Sequence, residues 1–120
     1  MALISFSNNT RQSWESGILD HRLKTVLRDI AFEFGGIWLT CIDRSVEHNA
    51  AVGGVNSSRH LLNAQGKCEA ADFVLMNPAL NSGVEDYARR HFSGLFVLFH
   101  DVNSGLHFHL HIKDKIELLA

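Results

Sequence analysis

The run Leu106-His107-Phe108-His109-Leu110-His111-Ile112 alternates apolar and imidazole residues without a break. Successive side chains of a β-strand point to opposite faces, so a period of two specifies a strand with one apolar and one polar face. It predicts Leu106, Phe108, Leu110 and Ile112 against a core, with His107, His109 and His111 in line on the other side. Next-but-one neighbours on such a face are close enough for two of them to share a metal ion or a substrate. Neutral imidazole is also the commonest protein metal ligand and titrates nearest neutral pH. An exposed face whose polar positions are simply histidine is the plain alternative. Three imidazoles in a row, with other ligand types upstream, weigh against it.

At 120 residues, with an ordinary apolar fraction, the chain can bury one hydrophobic core without staples. Charges of both signs are mixed and sum to −2, so no basic footprint points to nucleic acid. Cys41 and Cys68 stand in no metal or redox spacing and indicate reduced or buried thiols, not a disulfide framework. The N-terminus has no basic stretch followed by an apolar run, and nothing approaches the length of a membrane span. The expectation is a monomeric, cytoplasmic protein with no nucleic-acid or membrane partner.

Residues 1–18 are polar and weakly patterned and are expected to form an irregular N-terminal arm before a single domain over 19–120. Asp20 is placed to cap a helix in which Leu23, Val26, Leu27, Ile30 and Phe34 recur at helical spacing, and Gly35-Gly36 ends it. Ile37 to Ile42 reads as a buried strand. Ser45 caps a short helix with Glu47 in its first turn, Gly53-Gly54 ends it, and 55–67 is loop. Ala70 to Met76 reads as a second strand with Asp72 near its start, broken by Asn77-Pro78. Ser82 and Glu85 have capping-box spacing and open a helix that Gly94 ends. Leu95 to His100 is a third strand, and Asn103-Ser104-Gly105 turns it into the histidine strand as a hairpin. The tail after Lys113 carries no signal. This order predicts an α+β fold, a small and mainly antiparallel sheet flanked by helices.

Metal centres draw a few ligands together from rigid elements, and a catalytic zinc site keeps three protein ligands and one position for water. His60 at the end of a loop, Asp72 at the start of a strand and the histidine strand offer two imidazoles and a carboxylate, a recurrent hydrolytic set. The other histidines read as scaffold: His21 and His91 on helix surfaces, His100 at a strand end or pocket, His48 as a loop brace.

The stretch from Arg44 to Leu61, RSVEHNAAVGGVNSSRHL, resembles the signature of the zinc D-alanyl-D-alanine peptidases with the Hedgehog/DD-peptidase-like fold. Those enzymes show Tyr-Arg-Ser-x-x-His-Asn, a Gly-Gly, then Ser-x-His-x-x-Gly-x-Ala-x-Asp, and finish with His-x-His near the C-terminus. The likeness runs from Asp20 to Ile112 and is nearest to short, single-domain members of bacteriophages and bacteria. It implies zinc on His60, Asp72 and His109, with His107 as the catalytic companion near the reacting water. Arg44, and Ser58 beside the metal, would bind substrate.

Three departures stand out. Leu61 to Ala71 separate the His from the Asp, a loop longer than the family's by about five residues, which is cheap in closure entropy. That loop brings Glu69 in as a rival ligand. Leu106 stands where an acidic residue often precedes the His-x-His, and Asp43 where an aromatic usually precedes the arginine. A frame with His109 as companion and His111 as ligand keeps the same strand face and stays open.

The implied function is zinc-dependent hydrolysis of D-amino-acid-containing peptide bonds in peptidoglycan stem peptides, as a carboxypeptidase or endopeptidase of the kind used in phage lysis. The alternative is a catalytically inactive zinc-binding module of the same fold that holds cell-wall peptide or a protein partner, and Leu106 favours it. An unrelated His-rich metal-binding protein is opposed by the Arg44 to His60 run.

Overall fold

The computed structural model describes residues 3–7, 10–52, 58–102 and 105–118. In chain order it contains β1 (Ile4–Phe6), α1 (Thr10–Ser16), α2 (His21–Phe34), β2 (Ile37–Cys41), α3 (Val46–Ala51) and β3 (Ala70–Leu75). A 3-10 turn over Pro78–Gly83 leads into α4 (Val84–His91), β4 (Phe92–Val102) and β5 (Gly105–Leu118). The strands form one sheet in the order β1-β2-β3-β5-β4, antiparallel throughout except for the parallel β1–β2 pair. The α+β class with a mainly antiparallel sheet is therefore as expected. Among the described residues no helix is long and apolar enough to cross a membrane.

α2 forms where its signals lie. The Asp20 carboxylate accepts from the Arg22 backbone N–H at 2.9 Å, and Gly35 takes a left-handed φ of 81° that ends the helix. Its buried stripe, Leu23, Val26, Leu27, Ile30, Ala31 and Phe34, packs on the sheet face that carries Ile37, Leu39, Phe73, Phe108 and Leu110. Phe73 on β3 stacks on Phe108 on β5 at 5.2 Å between centroids. Tyr87 ties α4 to α2, ring edge on Phe34 and hydroxyl donating to Asp29 at 2.7 Å. Gly36 takes a φ of 119° that strains any residue with a Cβ, and an added Cβ would also push aside the Met76 sulfur, 2.6 Å away.

Several expectations are corrected. The N-terminal stretch is not irregular: β1 extends the sheet along β2, and α1 packs back on it through Phe6 and Trp14. The Ser82–Glu85 capping box does not form, because the 3-10 turn from Pro78 runs straight into α4 and leaves no break to cap. Glu85 instead accepts from the Phe99 backbone N–H of β4 at 3.3 Å. Gly94 does not end α4; it sits inside β4 at φ 74°, where the register with β5 shifts. The tail continues β5 to Leu118, with Ile116 packed on the core. Of the apolar half of the histidine strand, Phe108, Leu110 and Ile112 are buried, whereas Leu106, one residue from the hairpin turn, is 60% exposed. Gly53-Gly54, expected to end α3, lie outside the described residues, as do Asn103 and Ser104 of the hairpin turn.

Candidate metal centre

On the sheet face opposite α2, strand pairing sets Cys41, Asp72, His109 and Leu98 in one row across β2, β3, β5 and β4. A bulge in β2 between Leu39 and Cys41 puts Leu39 opposite Phe73 and Cys41 opposite Asp72, so Cys41 turns toward the histidines while Leu39 stays in the core. His107 and His111 flank this row on β5, and His100 on β4 faces His107 with ring centroids 5.3 Å apart.

His60 reaches the row from the loop before β3. Its backbone N–H donates to Ser58 Oγ at 3.2 Å, its carbonyl accepts from Arg44 N at 2.9 Å, and its ring Nδ1 donates to the Ile42 carbonyl. Nε2 is thereby aimed at Asp72 Oδ1, 3.1 Å away. The same oxygen lies 2.8 Å from His109 Nδ1. The other carboxylate oxygen faces His107 Nε2 at 3.6 Å and Arg44 Nη2 at 3.7 Å. His60 and Asp72 are almost wholly buried. The long loop between them closes on itself: Asn63 Oδ1 accepts from the backbone of Gln65 and Lys67, each at 3.0 Å. The extra residues are taken up there and do not separate the two ligands.

The charges follow from this packing. Burial pushes the Asp72 carboxyl up, but hydrogen bonds from His107, His109 and His60 outweigh it and hold Asp72 well below the usual carboxylate range. Burial likewise works against a charged His60, yet the hydrogen bond to Asp72, the Cys41 and Cys68 sulfurs and the Asp72 charge raise its pKa well above the ordinary histidine value. His111 goes the other way. Burial first, then the neighbouring positive charge of His109, Arg59 and His60, lowers it to about 4, so it is a neutral imidazole beside His109 Nε2 at 2.8 Å.

The cluster offers donors of the kind that can hold a metal ion, and among the described residues the group whose ligand atoms all lie within 4.8 Å of one another is Cys41, His60 and Asp72. Tetrahedral zinc bonds of about 2.0–2.1 Å would set neighbouring ligand atoms about 3.3 Å apart, near the 3.1 Å from Asp72 Oδ1 to His60 Nε2 and the 2.8 Å to His109 Nδ1, whereas the two imidazoles would have to draw together to share one ion. The backbone carbonyl on His60 Nδ1 and the imidazole on His109 Nε2 are outer partners of the kind that orient a histidine toward a metal. Thiolate, imidazole and carboxylate are each donor types that zinc accepts. A thiol therefore belongs to the closest group of donors, and His109 joins it through its 2.8 Å contact with Asp72 Oδ1.

The structure brings His60, Asp72, His107, His109 and Arg44 together. Ser58 is also near, though its oxygen accepts from the His60 backbone, which makes it part of the loop that holds the ligand. Glu69 does not join: its carboxylate is taken up by Arg59 at 3.6 Å and Arg22 at 3.9 Å. His111 touches His109 and not Asp72. One contributor, Cys41, escapes a reading by residue pattern, and a second, Asn49, falls in the His-Asn run without a role being legible there. Cys41 enters through the bulge, and buried Asn49 accepts from Arg44 Nη1 at 3.4 Å and steadies the guanidinium. Capping of α3 by Ser45 is the sequence signal that fixes Asn49 in that helix.

A cleft of about 850 Å³ opens beside the cluster, between α1 and the segment Thr40–Ser45, with Cys41, Arg44 and His48 on its wall. No family model, no curated protein and no solved structure matches this chain.

Proposed function

We propose that the chain is a zinc-dependent peptidase that cleaves D-amino-acid-containing bonds of peptidoglycan stem peptides. The observation that carries the metal half is the convergence of His60 Nε2 and His109 Nδ1 on one buried oxygen of Asp72. The peptide half is supported by the likeness of Arg44 to His60 and by an open cleft of peptide size next to the ligands. Zinc held by His60, Asp72 and His109 would lower the pKa of water toward neutrality and polarise a carbonyl.

The chain's own groups do the remaining work in this reading. His107, beside Asp72 and nearly buried, accepts the proton of the attacking water and returns it to the leaving amine. Arg44, braced by Asn49 and facing Asp72, lies on the cleft lining and binds a peptide carboxylate or carbonyl at the end of the cleft nearest the metal. Ser58 fixes the His60 backbone. The long loop to Asp72 stays compact and leaves the cleft open.

One observation favours an inactive peptide-binding module as the second reading. Leu106 is exposed and apolar, and Asp72, already a ligand in this scheme, is the carboxylate that the imidazoles address. Turnover separates the two. Zinc-loaded protein should release D-Ala from a synthetic peptide ending in D-Ala-D-Ala or cut a cross-linked stem peptide, and a chelator should stop it. Peptide binding without any cleavage of either substrate would establish the module instead.

A further inference from the structure

Asp43 gives the cleft a charge for which the proposed chemistry has no use. It lies on the cleft wall between Ile42 and Arg44, and one carboxylate oxygen accepts the hydroxyl of Ser13 on α1. Among the described residues its carboxylate has no cationic partner. The neighbouring guanidinium is directed away, toward Asp72 at 3.7 Å and Asn49 at 3.4 Å. Across the cleft, α1 contributes Gln12, Ser13 and Ser16, polar and uncharged. A ligand lying along this wall therefore meets one anionic oxygen beside the neutral hydrogen-bonding groups of α1, with Arg44 and His48 further along the same lining.

We propose that Asp43, with the polar face of α1, is a subsite for a primary ammonium group on the peptide substrate, either a side-chain amine or a free amino terminus. This rests on the peptidase reading and deepens it. An ammonium carries three donors around a compact charge, which one carboxylate oxygen and neighbouring hydroxyl and amide oxygens can satisfy. A guanidinium is suited to both oxygens of a carboxylate at once, and Ser13 already occupies one of them. Arg44 and Asp43 then divide the work: the arginine takes the negative end of the peptide near the metal, and the aspartate takes an amine further along the cleft.

The test compares one stem peptide with its amine free and the same peptide with that amine acetylated. Zinc-loaded wild-type protein should favour the free amine about tenfold in kcat/KM, most of it in KM. Asp43→Asn, which still accepts from Ser13, should lose that preference, and Ser13→Ala should keep it. Equal cleavage of the two peptides by the wild type, or an undiminished preference in Asp43→Asn, overturns the subsite and leaves the peptidase reading intact. If zinc-loaded protein cleaves neither peptide, the peptidase reading fails, and equilibrium binding of the two peptides decides the subsite. A preference for the free amine that Asp43→Asn abolishes upholds it, and equal or undetectable binding overturns it.

Discussion

Asp72 on β3 and His109 on β5 stand directly opposite each other in an antiparallel pair, with carboxylate oxygen and ring nitrogen 2.8 Å apart. Their relation is set by sheet register, which one slipped residue would destroy by turning every side chain to the other face. His60 comes from a loop instead, held by Ser58, Ile42 and Arg44. Two of the proposed ligands are thus as rigid as the sheet and the third as rigid as its loop.

The register depends on the core beneath it. Phe108 lies between His107 and His109 in sequence, is fully buried, and stacks on Phe73. Phe108→Ala should cost about 3–5 kcal/mol of unfolding free energy in urea titration. A loss under about 1 kcal/mol would mean that the strand is held by something other than this packing.

The proposed reading gives the imidazoles of β5 different roles. His109→Ala should abolish metal binding, while His107→Ala should keep the metal and lose turnover, because His107 faces the other carboxylate oxygen at a longer distance. Metal analysis alongside peptide cleavage checks both. Should His107→Ala lose the metal and His109→Ala retain it, the assignment is wrong by one strand repeat.

Arg44 is assigned to substrate. A lysine cannot reproduce the two parallel hydrogen bonds of a guanidinium fork, so Arg44→Lys should lower kcat/KM at least tenfold, about 1.4 kcal/mol of transition-state binding. Zinc content and Tm should barely change. Parental kcat/KM in the variant, or a Tm several degrees lower, would make Arg44 a structural residue bridging Asp72 and Asn49.

Acid and base act on the metal-free protein in opposite directions. His60 has a raised pKa, so its contribution is complete below the ordinary histidine value of about 6.5 and is lost as pH climbs above it. His111 is lowered to about 4, so stability falls as pH drops from about 6.5 toward that value. The Asp72 contribution is present above the ordinary carboxyl value of about 3.9 and goes only in stronger acid. Tm in chelator should therefore peak near pH 6.5, by about the unperturbed histidine value. Zinc must displace the proton on His60, so the Tm gained on adding zinc should grow from pH 6 to pH 8, by about the rule that ligands bind metal deprotonated. Chelated protein more stable at alkaline than at near-neutral pH would contradict this assignment of charge.

Much of this arrangement is legible in the residues, for identifiable reasons. α2 carries a cap at each end and a full apolar stripe, so local and tertiary preferences agree. The β4–β5 hairpin and the imidazole face follow from an alternation long enough to exclude a helix. β1 has three residues, too few to show any period, and is a strand only because β2 lies beside it. Ser82 and Glu85 have the right spacing for a cap, but the chain from Pro78 is already turning when it reaches them. Cys41 was hidden for a different reason: its face depends on a bulge in β2, and a bulge leaves no mark in a two-residue pattern. The candidate metal set is only half visible in spacing, since the long loop to Asp72 looks disruptive until Asn63 is seen to close it.

Zinc stoichiometry and coordination in purified protein test the central claim most directly. Elemental analysis and X-ray absorption on the zinc-loaded wild type should give about one zinc per chain, with nitrogen and oxygen ligands at roughly 2.0–2.1 Å. His60→Ala, Asp72→Ala and His109→Ala should each lose it, and His111→Ala should not. A folded wild type that takes up no zinc, or zinc retained in full by those three variants, would contradict the account.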